Sequence, residues 1–189
     1  MTEGGRPNDP DVALMLRLKG GDETALEEIV RRHQKNVLNL VFRYLGDATL
    51  AEDVAQEVFL KVYRARENYE PKAKFSTWLY RVTVNHCLNE IRSRKSQPAK
   101  VELAEDVLKD SGVIDPEEGL DKAELQHCVK AAVDSLPEHQ RMAVILARFE
   151  ELSYEEIAET MGISLEAVKS VLHRAKEALK EKLARFLKR

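Results

Sequence analysis

The sequence has little of what is typical of secreted, membrane-spanning or disulfide-bonded proteins. Its 189 residues include only two cysteines, too few for a disulfide framework, so a reduced cytoplasmic setting is expected. No apolar run approaches the roughly 20 residues that cross a bilayer, so no membrane insertion is predicted. The N-terminal stretch MTEGGRPNDP is polar and lacks the hydrophobic region of a secretion signal.

Motifs for catalysis are also missing. The chain has eight glycines but no glycine-rich phosphate loop, nucleophile elbow or H-E-x-x-H pattern. The pairs His86-Cys87 and His127-Cys128 contain zinc-ligating residue types, but they lack the usual C-x-x-C spacing, and neighbours on a helix point about 100° apart. The sequence therefore predicts that the protein is not an enzyme and that it has no catalytic residue, metal site, cofactor or small-molecule substrate.

Helical patterns are what the sequence does contain. It is 33% charged and 43% hydrophobic, and no segment alternates apolar and polar residues for long enough to be a convincing strand. The fold class is therefore predicted to be all-α. Apolar residues at helical spacing predict helices over about 11–19, 49–66, 76–94, 125–135 and 138–149. A further helix, capped by Asp22 or Thr24, is predicted to run to about Leu45, and two short helices are predicted within 153–182.

A change of composition divides the chain into two small helical domains. Between residues 96 and 124 there are two prolines, two glycines and nine acidic residues against three lysines, and few large apolar residues recur regularly. This composition favours an extended, flexible acidic linker with at most a transient turn of helix. The linker is either merely solvated, kept off DNA by its acidity, or laid across a basic surface. The predicted organisation is a disordered N-terminal tail at 1–10, a first domain at 11–95, the linker at 96–124 and a second domain at 125–189.

The stretch from Ser153 to Lys182 has the pattern of two helices joined by a tight turn. Ser153 and Glu156 have the spacing of a capping box. Gly162 suits the left-handed conformation that ends a helix, and Ser164 can cap the next one. Helix, glycine-bearing turn and helix form the helix-turn-helix pattern, whose second helix commonly lies in the major groove of DNA.

The solvent side of that second helix is basic. From Ser164 to the C-terminus there are eight lysines and arginines against three glutamates, although the whole chain has a net charge of −3. Cations can neutralise phosphates, and lysine, serine and arginine can bind base edges. The alternative is a solvated helix in a bundle that binds nothing. The candidate DNA contacts are Ser164, Lys169, Ser170, His173, Arg174 and Lys176.

The helix predicted at 49–66 has a second candidate surface. Asp53, Gln56, Glu57 and Leu60 lie away from its apolar stripe. Acidic groups early in a helix interact favourably with the helix dipole, which by itself would explain Asp53 and Glu57. An exposed leucine beside them favours a protein-docking surface instead.

A third candidate surface lies where aromatic and cationic residues alternate at the start of the helix predicted at 76–94. Rings can stack on bases while cations follow the backbone, as single-stranded DNA binding requires. Asn85 and Asn89 are one turn apart and could read an exposed base. For Trp78 the alternative is packing in the core. The candidate residues are Lys72, Lys74, Phe75, Trp78, Tyr80, Arg81, Asn85, Asn89 and Arg92.

Three stretches in this order resemble a bacterial RNA polymerase sigma factor: DVAQEVFLKVYRARENY, FSTWLYRVTVN and SLPEHQRMAVILARFEELSYEEIAETMGISLEAVKSVLHRAKEAL. The two domains with only a linker between them resemble the extracytoplasmic-function (ECF, group 4) subfamily of the sigma-70 family. The resemblance covers about residues 11–185. It implies sigma region 2 in the first domain, sigma region 4 in the second, and a role in promoter-specific transcription initiation.

The resemblance also implies roles for the three surfaces. Asp53, Gln56 and Glu57 match the DxxQE motif that docks on the β′ clamp of core polymerase, and the loop 69–75 with the helix after it matches the part that captures the melted minus-10 element. Asn85 matches an asparagine near a flipped base. The minus-35 element would face Lys169, Ser170, His173 and Arg174.

At two of the minus-35 positions the sequence departs from commoner members of the family. Arginine often stands where this chain has Lys169, and an aromatic residue often stands where it has His173. A lysine cannot make the bidentate contact of an arginine, so the minus-35 preference is left open.

The implied partners are core RNA polymerase, through its β′ clamp and β flap, promoter DNA, and an anti-sigma factor that holds the protein inactive. A rival reading is an ordinary two-domain transcriptional regulator with a sensor domain. That reading explains the helix-turn-helix but not the DxxQE and FSTWLYR stretches. Such a regulator would bind duplex DNA specifically on its own, whereas a sigma factor should need core polymerase.

Overall fold

The computed structural model describes the backbone of residues 9–96 and 116–184 and the side chains of residues 9–94 and 125–184. Within these ranges the regular structure is helical, without a strand, and no helix is long and apolar enough to cross a membrane. The all-α prediction is confirmed. The helices are α1 (Pro10–Lys19), α2 (Thr24–Leu45), α3 (Ala48–Ala65), α4 (Phe75–Ser96), α5 (Pro116–Asp134), α6 (Glu138–Arg148), α7 (Tyr154–Met161) and α8 (Leu165–Leu183), with a 3-10 turn (Arg66–Asn68) after α3.

The helix-turn-helix forms at α7 and α8 with the predicted caps. The Ser153 hydroxyl accepts from the backbone N–H of Glu156 at 3.2 Å, and the Glu156 carboxylate accepts from that of Ser153 at 3.0 Å. Gly162 follows α7 with φ 66°, where a side chain would strain the backbone. The Ser164 hydroxyl then accepts from the N–H of Ala167 at 3.1 Å. These local bonds fix where α7 ends and where α8 begins.

Asp9 joins the starts of two helices. One carboxylate oxygen accepts from the backbone N–H of Asp11 in α1 at 2.9 Å, and the other accepts from that of Phe75 in α4 at 3.0 Å. The first N–H groups of a helix have no partner within the helix, so a carboxylate between two such ends satisfies both. Asp9 therefore belongs to the helical structure although the prediction placed it in the tail; residues 1–8 lie outside the described residues.

Helix α5 begins nine residues before the predicted start at Leu125. Its backbone is helical from Pro116 onward. Proline suits the first turn of a helix because its fixed φ fits and its missing N–H would have no partner there. This part of the predicted linker is thus helical, and the part at residues 97–115 lies outside the described residues.

The apolar core continues from the first domain into the second. Tyr44, Phe75 and Met15 are completely buried in the first domain. The second domain contributes to the same cluster through side chains on α6, α7 and α8: Met142, Ile145, Leu146, Ile157 and Val168. The two helical domains are therefore packed against each other in this structure.

Phe149, the last residue of the helix predicted at 138–149, lies outside that core. The helix α6 ends at Arg148, one residue before it. The Phe149 side chain is 51% exposed, and its ring lies 4.8 Å from the guanidinium of Arg43. The chain turns away at the helix end, so the helical periodicity no longer gives the direction of this ring.

Candidate nucleic-acid and protein-docking interfaces

The predicted docking residues form one exposed cluster on α3, which we call the docking cluster: Asp53, Gln56, Glu57 and Leu60. All four are exposed, and their spacing of three and four residues places them on neighbouring turns of the same side. Leu60 keeps 46% of its surface accessible, whereas the nearby Val58 is completely buried. An exposed leucine beside two carboxylates gives this surface both apolar and charged groups for a partner.

Beside the docking cluster, Lys61 reaches across to α4. Its ammonium contacts Nδ1 of His86 at 2.5 Å, and both burial and this lysine lower the pKa of His86. The next residue, Cys87, is completely buried, and burial raises the pKa of its thiol to about 12. A protonated thiol is a poor metal ligand. Among the described residues no cluster of three His, Cys, Asp or Glu side chains could hold a metal ion.

Five residues of the predicted minus-10 group form a single stripe along α4, which we call the α4 stripe: Trp78, Arg81, Asn85, Asn89 and Arg92. They follow one another at intervals of three or four residues, as neighbours on one helix face do. The arginines and asparagines are exposed, and Trp78 is half-buried. The stripe therefore combines an aromatic ring, two amides and two cations on one accessible side.

Two buried aromatic rings pack against the core side of Trp78. The centre of its ring is 5.1 Å from that of Tyr69 and 5.6 Å from that of Phe75. Tyr69 is 3% exposed and Phe75 is completely buried. Phe75 was predicted to contact DNA, but its ring lies beneath the surface. In this structure neither face of the ring is free for a base. For Trp78 the alternatives were stacking on a base and packing in the core. One side of its ring packs on Tyr69 and Phe75, and the rest stays accessible.

A cavity of about 290 Å³ opens beside Trp78. This cavity is lined by the ring of Trp78, which can stack on a base, and by Lys72 and Arg81, which can bind phosphate. Its walls come from the end of α3, the 3-10 turn and the loop that follow it, α4 and α7: Ala65, Asn68, Tyr69, Glu70, Lys72, Ala73, Thr77, Trp78, Arg81 and Glu159. Lys72 is paired with Glu70 at 2.5 Å, but its side chain remains 84% exposed.

Two other residues of the predicted minus-10 group contact the second domain. Lys74 donates to the carboxylate of Glu156 at 2.9 Å, and this bond is the main reason that the pKa of Glu156 is lowered. The hydroxyl of Tyr80 donates to the carboxylate of Glu150 at 2.8 Å. Burial, followed by this hydrogen bond, raises the pKa of Tyr80.

The predicted minus-35 residues are the N-cap of α8 and residues on its exposed side, which we call the α8 face: Ser164, Lys169, Ser170, His173, Arg174 and Lys176. All six are exposed, whereas Val168 and Ala175 are completely buried on the other side. Arg174 donates to the backbone oxygen of Ser170 at 3.3 Å within the helix. The cations of this face are exposed, so they are accessible to an anionic partner.

Comparison with known proteins shows the family to which the chain belongs. Residues 29–97 match Sigma-70 region 2, and residues 126–179 match Sigma-70, region 4. The RNA polymerase sigma-H factor of Pseudomonas aeruginosa is 36% identical over 189 residues, covering 95% of this chain and 97% of that protein. The ECF RNA polymerase sigma-E factor of Escherichia coli (strain K12) is 36% identical over 186 residues with the same coverage. The chain belongs to the ECF sigma factors of the sigma-70 family.

Two solved structures share the fold of this sigma factor. CnrH in complex with the cytosolic domain of CnrY aligns with a TM-score of 0.68 and 24% identity, covering 93% of this chain and 98% of that one. The sigma factor RpoE of Bartonella quintana, in complex with the anti-sigma factor NepR, aligns with a TM-score of 0.66 and 21% identity, covering 84% and 96%. At these identities the likeness concerns the fold.

Sequence reasoning missed the residues through which region 4 of this sigma factor contacts region 2. Glu150, Glu156 and Glu159 come from the segment before the basic α8, and all three lie against residues predicted to contact DNA. A run of glutamates next to a basic helix was visible in the sequence. It could have indicated a second, oppositely charged surface in region 4.

Proposed function

We propose that this sigma factor binds core RNA polymerase, directs it to promoters through minus-35 and minus-10 elements, and aids melting of the minus-10 region. It supplies specificity to an enzyme that lacks it, works in the cytoplasm, and has no catalytic chemistry or cofactor of its own. The observation that carries this proposal is the presence of three separate exposed surfaces, each with the chemistry that one of these contacts needs. They are the docking cluster, the α4 stripe and the α8 face.

The docking cluster is proposed to bind the β′ clamp of core polymerase. Its exposed Leu60 can enter an apolar pocket, and the carboxylates of Asp53 and Glu57 can pair with cations of the partner. Region 4 would add a second contact with the β flap. Holding both domains on one enzyme raises their effective concentration on the promoter, so neither DNA-binding surface needs to bind tightly alone.

The α4 stripe is proposed to capture the melted minus-10 element. Trp78 sits beside the cavity of about 290 Å³, where it can stack on a base while Arg81 and Lys72 neutralise phosphates. Asn85 lies one turn further along the same exposed side and can bind the edge of an extruded base. The buried Tyr69 and Phe75 would hold the tryptophan ring in place rather than contact DNA.

The α8 face is proposed to read the minus-35 element in the major groove. Lys169, Ser170, His173 and Arg174 lie on the exposed side of the second helix of a helix-turn-helix, which is the position of a recognition helix. Arg174 can make a bidentate contact with a guanine, while Lys169 can act only as a point donor. The minus-35 sequence should therefore differ from that of relatives with arginine at this position.

The proposed domain limits are a tail that ends before Asp9, region 2 from there to residue 95, a linker from residue 96 whose last part is the start of α5, and region 4 at 125–189. The matches at 29–97 and 126–179 support the two inner limits. An anti-sigma factor is proposed as a third partner. The solved structure of RpoE from Bartonella quintana in complex with NepR supports a partner of this kind.

In vitro transcription with core polymerase and a library of genomic fragments tests the proposal. The expected result is a set of initiated starts that share two upstream elements and that require both this protein and core polymerase. A gel shift with the same fragments and no polymerase is the control, and it should show little specific binding. Specific binding to duplex DNA without polymerase, together with no start in the transcription assay, would show that the protein is an ordinary regulator.

A further inference from the structure

The two ends of helix α1 bond to the two ends of one loop, residues 69–75, which leads from the 3-10 turn into α4. At the end of α1, the ammonium of Lys19 donates to the backbone oxygen of Tyr69 at 3.0 Å. At its start, a carboxylate oxygen of Asp9 accepts from the backbone N–H of Phe75 at 3.0 Å, while the other oxygen caps α1 itself. We call the bonds of Asp9 and Lys19 to this loop the α1 brace.

The braced loop forms much of the wall of the cavity beside Trp78. Its two end residues carry the rings on which Trp78 rests, and the centres of those two rings are 6.4 Å apart. Four residues of the loop line the cavity: Tyr69, Glu70, Lys72 and Ala73. A shift at either end of the loop would therefore move the tryptophan ring that the proposed function stacks on a base.

The side chain of Tyr69 does not orient the loop through a hydrogen bond. Its hydroxyl is buried, and among residues 9–94 and 125–184 it has no hydrogen-bond partner. Burial, and to a lesser extent the charge of Asp9, raises the pKa of Tyr69 to about 12, so this hydroxyl stays neutral. Within the loop, the N–H of Lys72 donates to the oxygen of Glu70 at 2.9 Å, which bends the chain without attaching it to a helix. Lys19 thus gives the start of the loop a polar link to an element outside it.

Helix α1 is itself fastened to α2 next to the far end of the loop. Nε2 of His33 in α2 lies 2.9 Å from a carboxylate oxygen of Asp11 in α1, and Arg32 donates to the other oxygen at 2.9 Å. The ring centre of His33 lies 5.3 Å from that of Phe75, and its side chain is only 14% exposed. The α1 brace is therefore tied to a packed pair of helices rather than to a free one.

Two simpler roles have to be separated from a brace. Lys19 is exposed, so it could act only as a cation that attracts phosphates. Asp9 could act only as the N-cap of α1. On electrostatics alone, loss of the lysine charge weakens DNA binding and loss of the aspartate charge strengthens it. A brace predicts that both losses weaken it.

We propose that Asp9 and Lys19 are positioning residues for minus-10 recognition: through the α1 brace they fix the loop 69–75, and with it the ring of Trp78, in the geometry that receives an extruded base. They act through the backbone of Tyr69 and Phe75 rather than on the base itself. The positioning part of this inference rests on the proposed function, which assigns the minus-10 element to the α4 stripe. The brace does not depend on that assignment.

The decisive variants are Asp9→Asn and Lys19→Met in the full-length protein. Asparagine has one acceptor oxygen where aspartate has two, so it can serve α1 or Phe75 but no longer link them, and it remains a good N-cap. Methionine replaces the lysine stem without a donor. The controls Glu27→Gln and Lys35→Met remove the same charges at exposed positions of α2. Lys19→Arg keeps a donor and the charge, and it should behave as the unchanged protein does.

Fluorescence of the protein alone tests the brace. Trp78 is the one tryptophan of the chain, so intrinsic emission and its quenching by acrylamide report the surroundings of this ring. Asp9→Asn and Lys19→Met should both shift the emission to longer wavelength and raise the quenching constant. Lys19→Arg and the two controls should leave both unchanged.

Binding by the holoenzyme tests the positioning. The probe is a promoter fragment from a start found in the transcription assay, with mismatched strands over the minus-10 element so that no opening is required. Asp9→Asn and Lys19→Met should each bind it about three- to tenfold more weakly, the usual net effect of one lost hydrogen bond. Binding to a duplex that carries only the minus-35 element should not change.

Unchanged quenching in both decisive variants would overturn the brace. Altered quenching with unchanged binding would overturn the positioning, as would shifts of opposite sign that match those of Glu27→Gln and Lys35→Met. Trp78→Ala separates this inference from the proposed function. If Trp78→Ala also binds the mismatched fragment as the unchanged protein does, the assignment of the minus-10 element fails and the positioning role fails with it, while the quenching still decides the brace.

Discussion

The α4 stripe and the α8 face have similar chemistry but opposite surroundings. Both combine cations with residues that can bind bases. Near the α4 stripe, Lys74 just before the helix and Tyr80 on another side of it bond to carboxylates of region 4. Trp78 in the stripe rests on two buried rings. On α8, Lys169 and Arg174 project from a helix whose only completely buried side chains are Val168 and Ala175 among residues 165–184.

The difference fits two ways of reading DNA. An extruded base needs a concave site of fixed shape, and the packed rings of Tyr69, Phe75 and Trp78 can hold such a site. The major groove of a duplex accepts a convex helix, so α8 needs only an exposed side and a stable turn before it. A concave site can also be blocked by a neighbouring domain.

The largest effect is expected when the docking cluster no longer binds core polymerase, because the α4 stripe and the α8 face then both lose their hold on the promoter. Glu57→Lys reverses a charge in the docking cluster and should weaken binding to core polymerase by at least about thirtyfold, the cost of an interface hot spot of about 2 kcal/mol. The folded structure should persist because Glu57 is exposed. Binding is measured by fluorescence titration with core polymerase.

The matched control is Glu27→Lys, which makes the same charge change at an exposed position of α2 outside the docking cluster. It should bind core polymerase as tightly as the unchanged protein. Equal losses in both variants would mean that net charge, rather than the docking cluster, determines the binding. Equal binding by all three proteins would remove the docking cluster from the interface.

A smaller effect is expected from Arg174→Ala on the α8 face. Loss of one bidentate contact to a base should cost about 1–3 kcal/mol and relax specificity at one base pair of the minus-35 element. The measurement is holoenzyme binding to a set of promoters that differ at single minus-35 positions. Lys180→Ala, an exposed cation nearer the end of α8, is the control and should lower binding uniformly. A uniform loss for Arg174→Ala as well would identify a phosphate contact.

Local features of the fold were predictable from the sequence, but the contact between the domains was not. Caps such as Ser153 and Ser164 act on backbone groups three residues away, so their spacing in the chain is enough to find them. Tyr80 and Glu150 are 70 residues apart, and neither breaks the periodicity of its own helix. Nothing local distinguishes a glutamate that will be buried against another domain from one that stays in water.

The same limit applies to the arrangement of the candidate residues on α4. Sequence spacing was enough to group Trp78, Asn85 and the arginines on one side of α4, because helix periodicity determines which residues share a face. It was not enough to separate Phe75 from Trp78, since both are aromatic residues at the start of the helix. Only the packing of the loop before α4 shows that Phe75 is completely buried and that Trp78 is half-exposed.

Asn85→Ala should separate the role of the α4 stripe in melting from the role of the α8 face in minus-35 binding. If Asn85 binds an extruded base, its loss should destabilise the open complex by about 0.5–1.5 kcal/mol, the usual net value of a hydrogen bond, and leave binding to the minus-35 element unchanged. Permanganate footprinting of melted thymines measures the first, and a gel shift of holoenzyme on a minus-35 half-promoter measures the second. Gln34→Ala, at an exposed position of α2, is the control. Normal melting by Asn85→Ala would place the base pocket elsewhere.

The smallest effect concerns the connector that presents Glu150 to region 2. The next residue, Glu151, has φ 53°, a left-handed conformation that costs an L-residue about 1–2 kcal/mol. Glu151→Gly removes that cost but adds chain entropy in the unfolded state, so we expect a net gain of about 0.5 kcal/mol in the free energy of unfolding. Urea denaturation measures the gain. The same substitution at Glu155, an exposed position in the first turn of α7, should have the opposite sign because its backbone is helical, where glycine is unfavourable by about 0.5–1 kcal/mol relative to alanine. Destabilisation by Glu151→Gly would show that the connector is not held in the left-handed conformation in solution, and that Glu150 reaches Tyr80 and Arg43 by a different path of the chain.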